Sequence, residues 1–392
     1  MTSYIGTPTS RVDGRAKVTG AAKYAAEYNV PGLAHGSVVA SRIAKGRVTR
    51  IDTSEALRVA GVIDVLTHKN RPPMADTDSA YKDDVAPDGS PFRPLYDDRI
   101  RFSGQPIALV VAEELDIARF AASLVRVEYD EESHVTDMRS QRDVAIVELA
   151  PGMFGPPKQR GAPEAALAAA AVRHQGEYFV PIEHHNPMEL FATTAIWEGG
   201  GKLTVYDKTQ GVQNVQRYLC GVFALKADDV RVMSPFMGGG FGAGLRPQYQ
   251  VVLAVLAARA LQRSVRVVLT RQQMYGLGFR PAMIQRIALG ASADGSLEAI
   301  SHDALTVTSQ YEDFYRQETG WSGLLYKCAN ASYAHKLVRL DLPTACDMRA
   351  PSATTSVYAL ECAMDELAVA LDLDPLELRM RCYSERDQNG DK

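Results

Sequence analysis

Apolar and polar positions along this chain fall into patterns that predict a mixed fold of strands and helices. "GLAHGSVVAS" (32–41) and "GVIDVLTH" (61–68) read as strands, from their valine and isoleucine content and flanking glycines. "QPIALVVAEE" (105–114) is almost continuously apolar, the mark of a strand buried on both faces. Residues 116–123 then read as a helix with Asp116 as N-cap. "VRVEYD" returns to a strand, with Val125, Val127 and Tyr129 alternating against Arg126, Glu128 and Asp130.

From Glu131 to Ala170 the periodicity lapses, and "PGMFGPPKQRGAP" (151–163) reads as a Pro/Gly-rich crossing between domains. A second region opens near Gly176. There "KLTVYDKT", "DVRVMSP", "VRVVLT" and "SLEAISHDALTVTS" read as strands. One helix is expected over 247–262, where Pro247 is acceptable in a first turn. Another is expected over 355–371, with Val357, Leu360, Met364, Leu367 and Leu371 on one face. Asp374, Pro375 and Glu377 resemble a capping box that starts a third. The domain reading is therefore 1–135, a linker over 136–175, and 176–392.

Composition changes this picture little. The chain has 392 residues, 46% hydrophobic and 23% charged, which suits a globular protein with a large core. Lys plus Arg number 43 against 47 Asp plus Glu, so nothing favours nucleic acid as a partner. Five cysteines, none in C-x-x-C spacing, fit neither a disulfide framework nor iron–sulfur ligation. They read as reduced core thiols, and any electron relay is expected on another chain. The longest apolar run, 251–258, is too short to span a bilayer, so no membrane partner is expected. The opening residues carry no secretory leader, which points to the cytoplasm, with export beside a twin-arginine partner as the alternative.

Three segments could carry chemistry. "VMSPFMGGGFGAGLRPQYQ" (232–250) runs from a strand through clustered glycines into a helix. Glycine lets backbone amides approach a ligand closely, and a helix N-terminus favours an anion. No Lys-Ser/Thr follows, so a Walker A loop fails. Gly238, Gly240 and Ala243 satisfy the dinucleotide fingerprint, and Arg271 could meet a 2′-phosphate, so NADP binding stays open beside a purely structural turn. In "PIEHHNPMELFATTAIW" (181–197), His184 and His185 are strand neighbours that face opposite sides, so no shared metal ion is expected. In "LPTACDMRAPSATTSVYALECAMDE" (342–366), Arg349 precedes a helix and could grip a phosphate or carboxylate, or else pair with Asp347 or Asp365.

Together these segments resemble the molybdopterin-binding large subunits of the xanthine dehydrogenase and aldehyde oxidase family, most nearly the bacterial aldehyde dehydrogenase branch. "RVDGRAKVTGAAKYAAE" (11–27) and "FSGQPIALVVAEELDIARFAASLVRVEYD" (102–130) resemble the opening and the end of its a/b hammerhead domain. "EHHNPME", "SPFMGGGFG" and "MRAP" follow in the family's order. The resemblance implies an α+β chain, a hammerhead domain followed by the first molybdopterin-binding domain. It implies a molybdenum–molybdopterin cofactor, in the cytosine dinucleotide form, held by Gly239, Gly240, Phe241, Gly242, Met348, Arg349 and Ala350. Glu183 stands where many relatives carry a glutamine that donates to an oxo ligand, and Ser352-Ala353 replaces an expected Gly-Glu pair. Phe236, Tyr275 and Arg280 are substrate-pocket candidates, with Tyr249 and Phe279 behind them.

The implied reaction is oxidation of an aldehyde, or hydroxylation of an N-heterocycle, with water as oxygen source. Electrons would pass to [2Fe-2S] and FAD subunits. No glutamate matches the family's general-base motif, so catalytic residues are left unassigned. The family continues for several hundred residues beyond this chain, which implies a C-terminal half on a separate chain or a truncated fragment. A metal-free scaffold half and an NADP-binding protein are the rival expectations.

Overall fold

The computed structural model describes residues 5–143, 147–148 and 158–388. Two sheets organise it. The larger has seven strands, in the order Val230–Met233, Lys202–Asp207, Ala192–Gly199, Val265–Val268, Ala34–Ala40, Pro106–Ala112, Val62–Thr67. Val265–Val268 is its hinge in sequence terms. It pairs antiparallel with Ala192–Gly199 and parallel with Ala34–Ala40, so early and late parts of the chain share one sheet. Pro106–Ala112 is buried at every position, as its unbroken apolar run requires.

The helix Tyr249–Leu261 packs on this sheet, and every residue from Tyr249 to Ala258 is buried. Its apolar residues (Val251, Val252, Leu253, Val255, Leu256) form the middle of the largest core. Each such side chain stabilises the fold by about 1.5–3 kcal/mol on burial.

The second sheet has five strands, in the order Val147–Glu148, Ala331–Leu340, Leu297–Ser309, Met283–Ala291, Val172–Val180. The helix Ala353–Leu371 covers it, burying Leu360, Met364 and Leu367 from the expected stripe, while Val357 and Leu371 stay partly exposed. A three-stranded sheet (Arg99–Ile100, Gly46–Asp52, Arg126–Glu131) completes the N-terminal part.

Several local expectations shift. The stretch read as loop to Ala170 contains a helix, Pro163–Ala169, with proline in its first turn and alanines after it. Residues 151–157 of the crossing lie outside the described residues. The second region, expected to open near Gly176, begins with a strand from Val172 that holds Gly176 inside it, where the Tyr178 ring lies in the path of a Cβ. The helix expected from Asp116 starts at Leu115, and Asp116 makes no capping bond. Asp374 does cap: its carboxylate accepts from the amides of Leu376 and Glu377 at 2.9 and 3.0 Å. Glu377 turns instead to Arg381, at 2.7 Å. All five cysteines are free thiols. No described helix is long and apolar enough to cross a membrane.

Candidate functional site

Two loops meet where the sheets adjoin. The glycine loop, 234–248, leaves the edge strand of the seven-stranded sheet and enters the buried helix. The arginine loop, 341–352, leaves Ala331–Leu340 and enters the helix over the other sheet. They bond directly: the Arg349 amide donates to the Phe241 carbonyl at 2.8 Å. Gly242 lies so close that a Cβ there would stand 2.1 Å from the Asp347 carbonyl oxygen. Only glycine fits.

Side chains brace each loop. Gln210 Oε1 accepts from the amides of Gly242 and Gly244, at 2.9 and 3.2 Å, and the Gln210 amide donates to the Gly244 carbonyl at 2.8 Å. Glu189 accepts from the Gly238 amide at 2.7 Å and from Ala25 at 3.3 Å; burial pushes its carboxyl above the usual range. Arg280, 9% exposed, donates to the carbonyls of Met348 and Arg349 at 3.3 and 3.0 Å. Its Nε lies 3.1 Å from Glu183, and Glu183 and Arg280 also exchange backbone hydrogen bonds. Within the glycine loop, Arg246 takes Glu312 in a bidentate pair at 2.9 and 3.0 Å and Asp83 at 2.8 Å. Burial works against that guanidinium, but the two carboxylates outweigh it and raise its basicity. Thr344 of the arginine loop donates to the same Glu312 at 2.7 Å.

The two histidines, expected on a strand, lie outside any strand and meet different partners. His185 Nε2 sits 2.6 Å from the Asp347 carbonyl and must carry the proton there, leaving a buried, unpartnered Nδ1. Burial lowers its basicity, so the ring stays neutral near pH 7. His184 packs on Tyr275, with centroids 4.7 Å apart, and against Phe279. Both histidines line a small cavity with Tyr275, Phe191 and Ala243 of the glycine loop.

The sequence candidates therefore divide. Glu183, Arg280, Met348, Arg349, Phe241 and Gly242 form one connected chain of contacts, with Gly239, Gly240 and Ala350 adjoining. Tyr275 joins through His184. Phe236 turns away, its ring 6.4 Å from Tyr24 and 5.8 Å from the Lys17 amine. Neither Phe236 nor Arg280 lines the cavity that Tyr275 lines. Tyr249 and Phe279 are core residues. Arg271 is engaged by Asn186 and the carbonyls of Pro187 and Met188, which hold its guanidinium against the 186–188 segment. Arg349 pairs with neither suggested partner, since Asp347 is taken by Arg316 and Asp365 by Arg379. Gln210 and the Arg246–Glu312 pair escaped sequence reading, because a glutamine after a strand and a distant carboxylate carry no local signal.

What remains open suits an anion. Among the described residues, no acceptor lies on the amides of Gly239, Gly240 or Phe241, and Arg349 carries an exposed guanidinium without a hydrogen-bond partner. Phe241, Ala350 and Ser352 hold positive φ (56°, 55° and 63°), as does neighbouring Asn186 at 41°. Strained residues of this kind persist where a ligand clamp over-determines them. Met188, Phe241 and Tyr275 present exposed apolar surface at the rim. These residues fit an anionic, flat cofactor.

Comparison with known proteins gives the family. A molybdopterin cofactor-binding domain model matches residues 150–383, and an aldehyde oxidase and xanthine dehydrogenase a/b hammerhead model matches 19–133. The chain is 35% identical to the aldehyde oxidoreductase molybdenum-binding subunit PaoC of Escherichia coli K12, across 97% of this chain and 52% of that subunit. It thus spans about half the length of that relative. The nicotinate dehydrogenase large molybdopterin subunit of Eubacterium barkeri is 26% identical and is matched over 88% of its length. The solved aldehyde oxidoreductase of Desulfovibrio gigas superposes with a TM-score of 0.82 at 29% identity, over 97% of this chain and 43% of that one.

Proposed function

This chain belongs to the aldehyde oxidase and xanthine dehydrogenase family, with a hammerhead domain and a molybdopterin-binding domain, and from that premise we propose that it forms one wall of the active site of an aldehyde-oxidising molybdenum hydroxylase. The observation that carries the proposal is the Arg349–Phe241 backbone bond, which fuses the two loops into one amide-lined rim. Gly239, Gly240 and Phe241 would offer their amides to anionic atoms of the molybdenum–pterin, in its cytosine dinucleotide form, and Arg349 its guanidinium. When bound, that cofactor supplies two-electron oxidation of an aldehyde, or of an N-heterocyclic carbon, with water as oxygen source.

The chain's own groups position and polarise. Two backbone amides fix Gln210 Oε1, and the same side chain carries an Nε2 that is a neutral donor. Glu183 is held by Arg280, and Glu189 by two amides, so neither stands free as a base. The general base and the rest of the cofactor shell are therefore sought in residues other than Glu183 and Glu189. Electrons leave through [2Fe-2S] and FAD partner subunits, since the five cysteines lack cluster spacing.

Metal and pterin analysis of the chain, co-expressed with its genomic neighbours, tests this. The expected result is about one molybdenum per chain, with aldehyde-dependent dye reduction. A stable complex devoid of molybdenum would overturn it and leave the metal-free scaffold.

A further inference from the structure

Lys208 directly follows the strand Lys202–Asp207 and is among the largest fully buried side chains, 1% exposed. Its ammonium has no hydrogen-bond partner among the described residues, and none of the described ion pairs includes it. Its nearest feature is the Phe191 ring, whose centroid lies 3.7 Å from Nζ. A cation over a desolvated ring gains less than an unpaired buried charge costs.

The surroundings explain why such a charge could be kept. Lys208 is followed by Thr209 and Gln210, and both donate to the Gly244 carbonyl. The Phe191 ring that carries the amine also lines the small cavity bounded by Ala243 of the glycine loop. Glu189 and Asp207 attract the amine from a distance, but Glu189 is committed to the amides of Gly238 and Ala25. Asp207 is fully buried, bonded through one oxygen to Thr193 and Gln250, and its carboxyl is pushed up to about 6 by burial. Neither forms a contact pair with the lysine.

We propose that Lys208 is a buried electrostatic anchor for the anionic ligand of the glycine loop, holding that ligand's charge from behind while the loop amides hold its atoms. This rests on the molybdenum–pterin reading of the site and adds to it a residue outside the two loops. Burial lowers the amine to about 8, which leaves it mostly charged near pH 7, as the role demands.

The anchor has a signature that a packing residue lacks. Replacing an uncompensated buried charge by an isosteric apolar group stabilises the empty protein, whereas the loaded protein loses an attraction. Lys208→Met and Lys208→Gln would be purified with their partner subunits, from hosts with and without molybdenum-cofactor synthesis. The cofactor-free Lys208→Met complex should melt several degrees above wild type. The loaded variants should lose molybdenum on dialysis at least tenfold faster, measured as metal per chain against time. Molybdenum retained at the wild-type rate overturns the proposal, as does a cofactor-free variant that melts below wild type. Wild type lacking molybdenum would instead sink the function proposed above.

Discussion

Gly242→Ala offers the sharpest perturbation of the join between the loops. The new Cβ would stand 2.1 Å from the Asp347 carbonyl oxygen and 2.7 Å from its carbon, where contact distance is more than 3 Å. Both obstacles are backbone, so no side chain can swing aside. The residue also sits at φ 107°, which L side chains rarely adopt. Strain there costs about 1–3 kcal/mol, overpacking about as much, and loss of the Arg349–Phe241 bond about 1 kcal/mol. The sum is roughly 3–7 kcal/mol. Gly201→Ala is the matched control: it shares a positive φ (87°) but meets nothing within 4 Å, so it should cost about 1 kcal/mol. Urea denaturation of both variants against wild type gives the difference, and metal analysis shows whether the cofactor is lost with it. Gly242→Ala falling within about 1 kcal/mol of Gly201→Ala, with molybdenum retained, would refute the reasoning.

Arg246→Met strands the carboxylates of Glu312 and Asp83, both with 2% side-chain exposure. It should cost about 3–5 kcal/mol by denaturant titration, with recovery when Glu312→Gln and Asp83→Asn are added. Glu318, buried beneath the arginine loop and bonded to Thr355 at 3.0 Å, has its carboxyl pushed up to about 7 by burial. A raised folded value means its contribution is complete below about pH 4.5 and is lost as pH rises through 7, so Glu318→Gln should gain on wild type by roughly 3 kcal/mol between those limits. A pH-independent difference in melting would contradict that. Gln210→Ala should keep its molybdenum but lose about 100-fold in kcat, measured by steady-state aldehyde oxidation, if its side-chain amide donates to the reacting centre.

The core and its helices were legible because burial imposes periodicity: the apolar run at 105–114 and the stripe from Leu360 to Leu367 announce their environments. The glycine and arginine loops were legible as motifs, since only glycine at 242 tolerates the neighbouring carbonyl. Their convergence was not, because it depends on a backbone bond between residues 108 positions apart. Gln210, Lys208 and Glu312 look ordinary in sequence. Their meaning lies in what they face, and that is set by how Lys202–Asp207 and Leu297–Ser309 enter their sheets. Helix Pro163–Ala169 was hidden by its proline and glycine surroundings, though it starts with proline where proline is favourable.

Hydrogen exchange, comparing the complex from cofactor-proficient and cofactor-deficient hosts, reads the amides on which everything here turns. The account predicts that loading slows exchange at Gly239, Gly240 and Phe241, with slower exchange also across 348–350. Unchanged exchange in both loops of a fully loaded protein would contradict it.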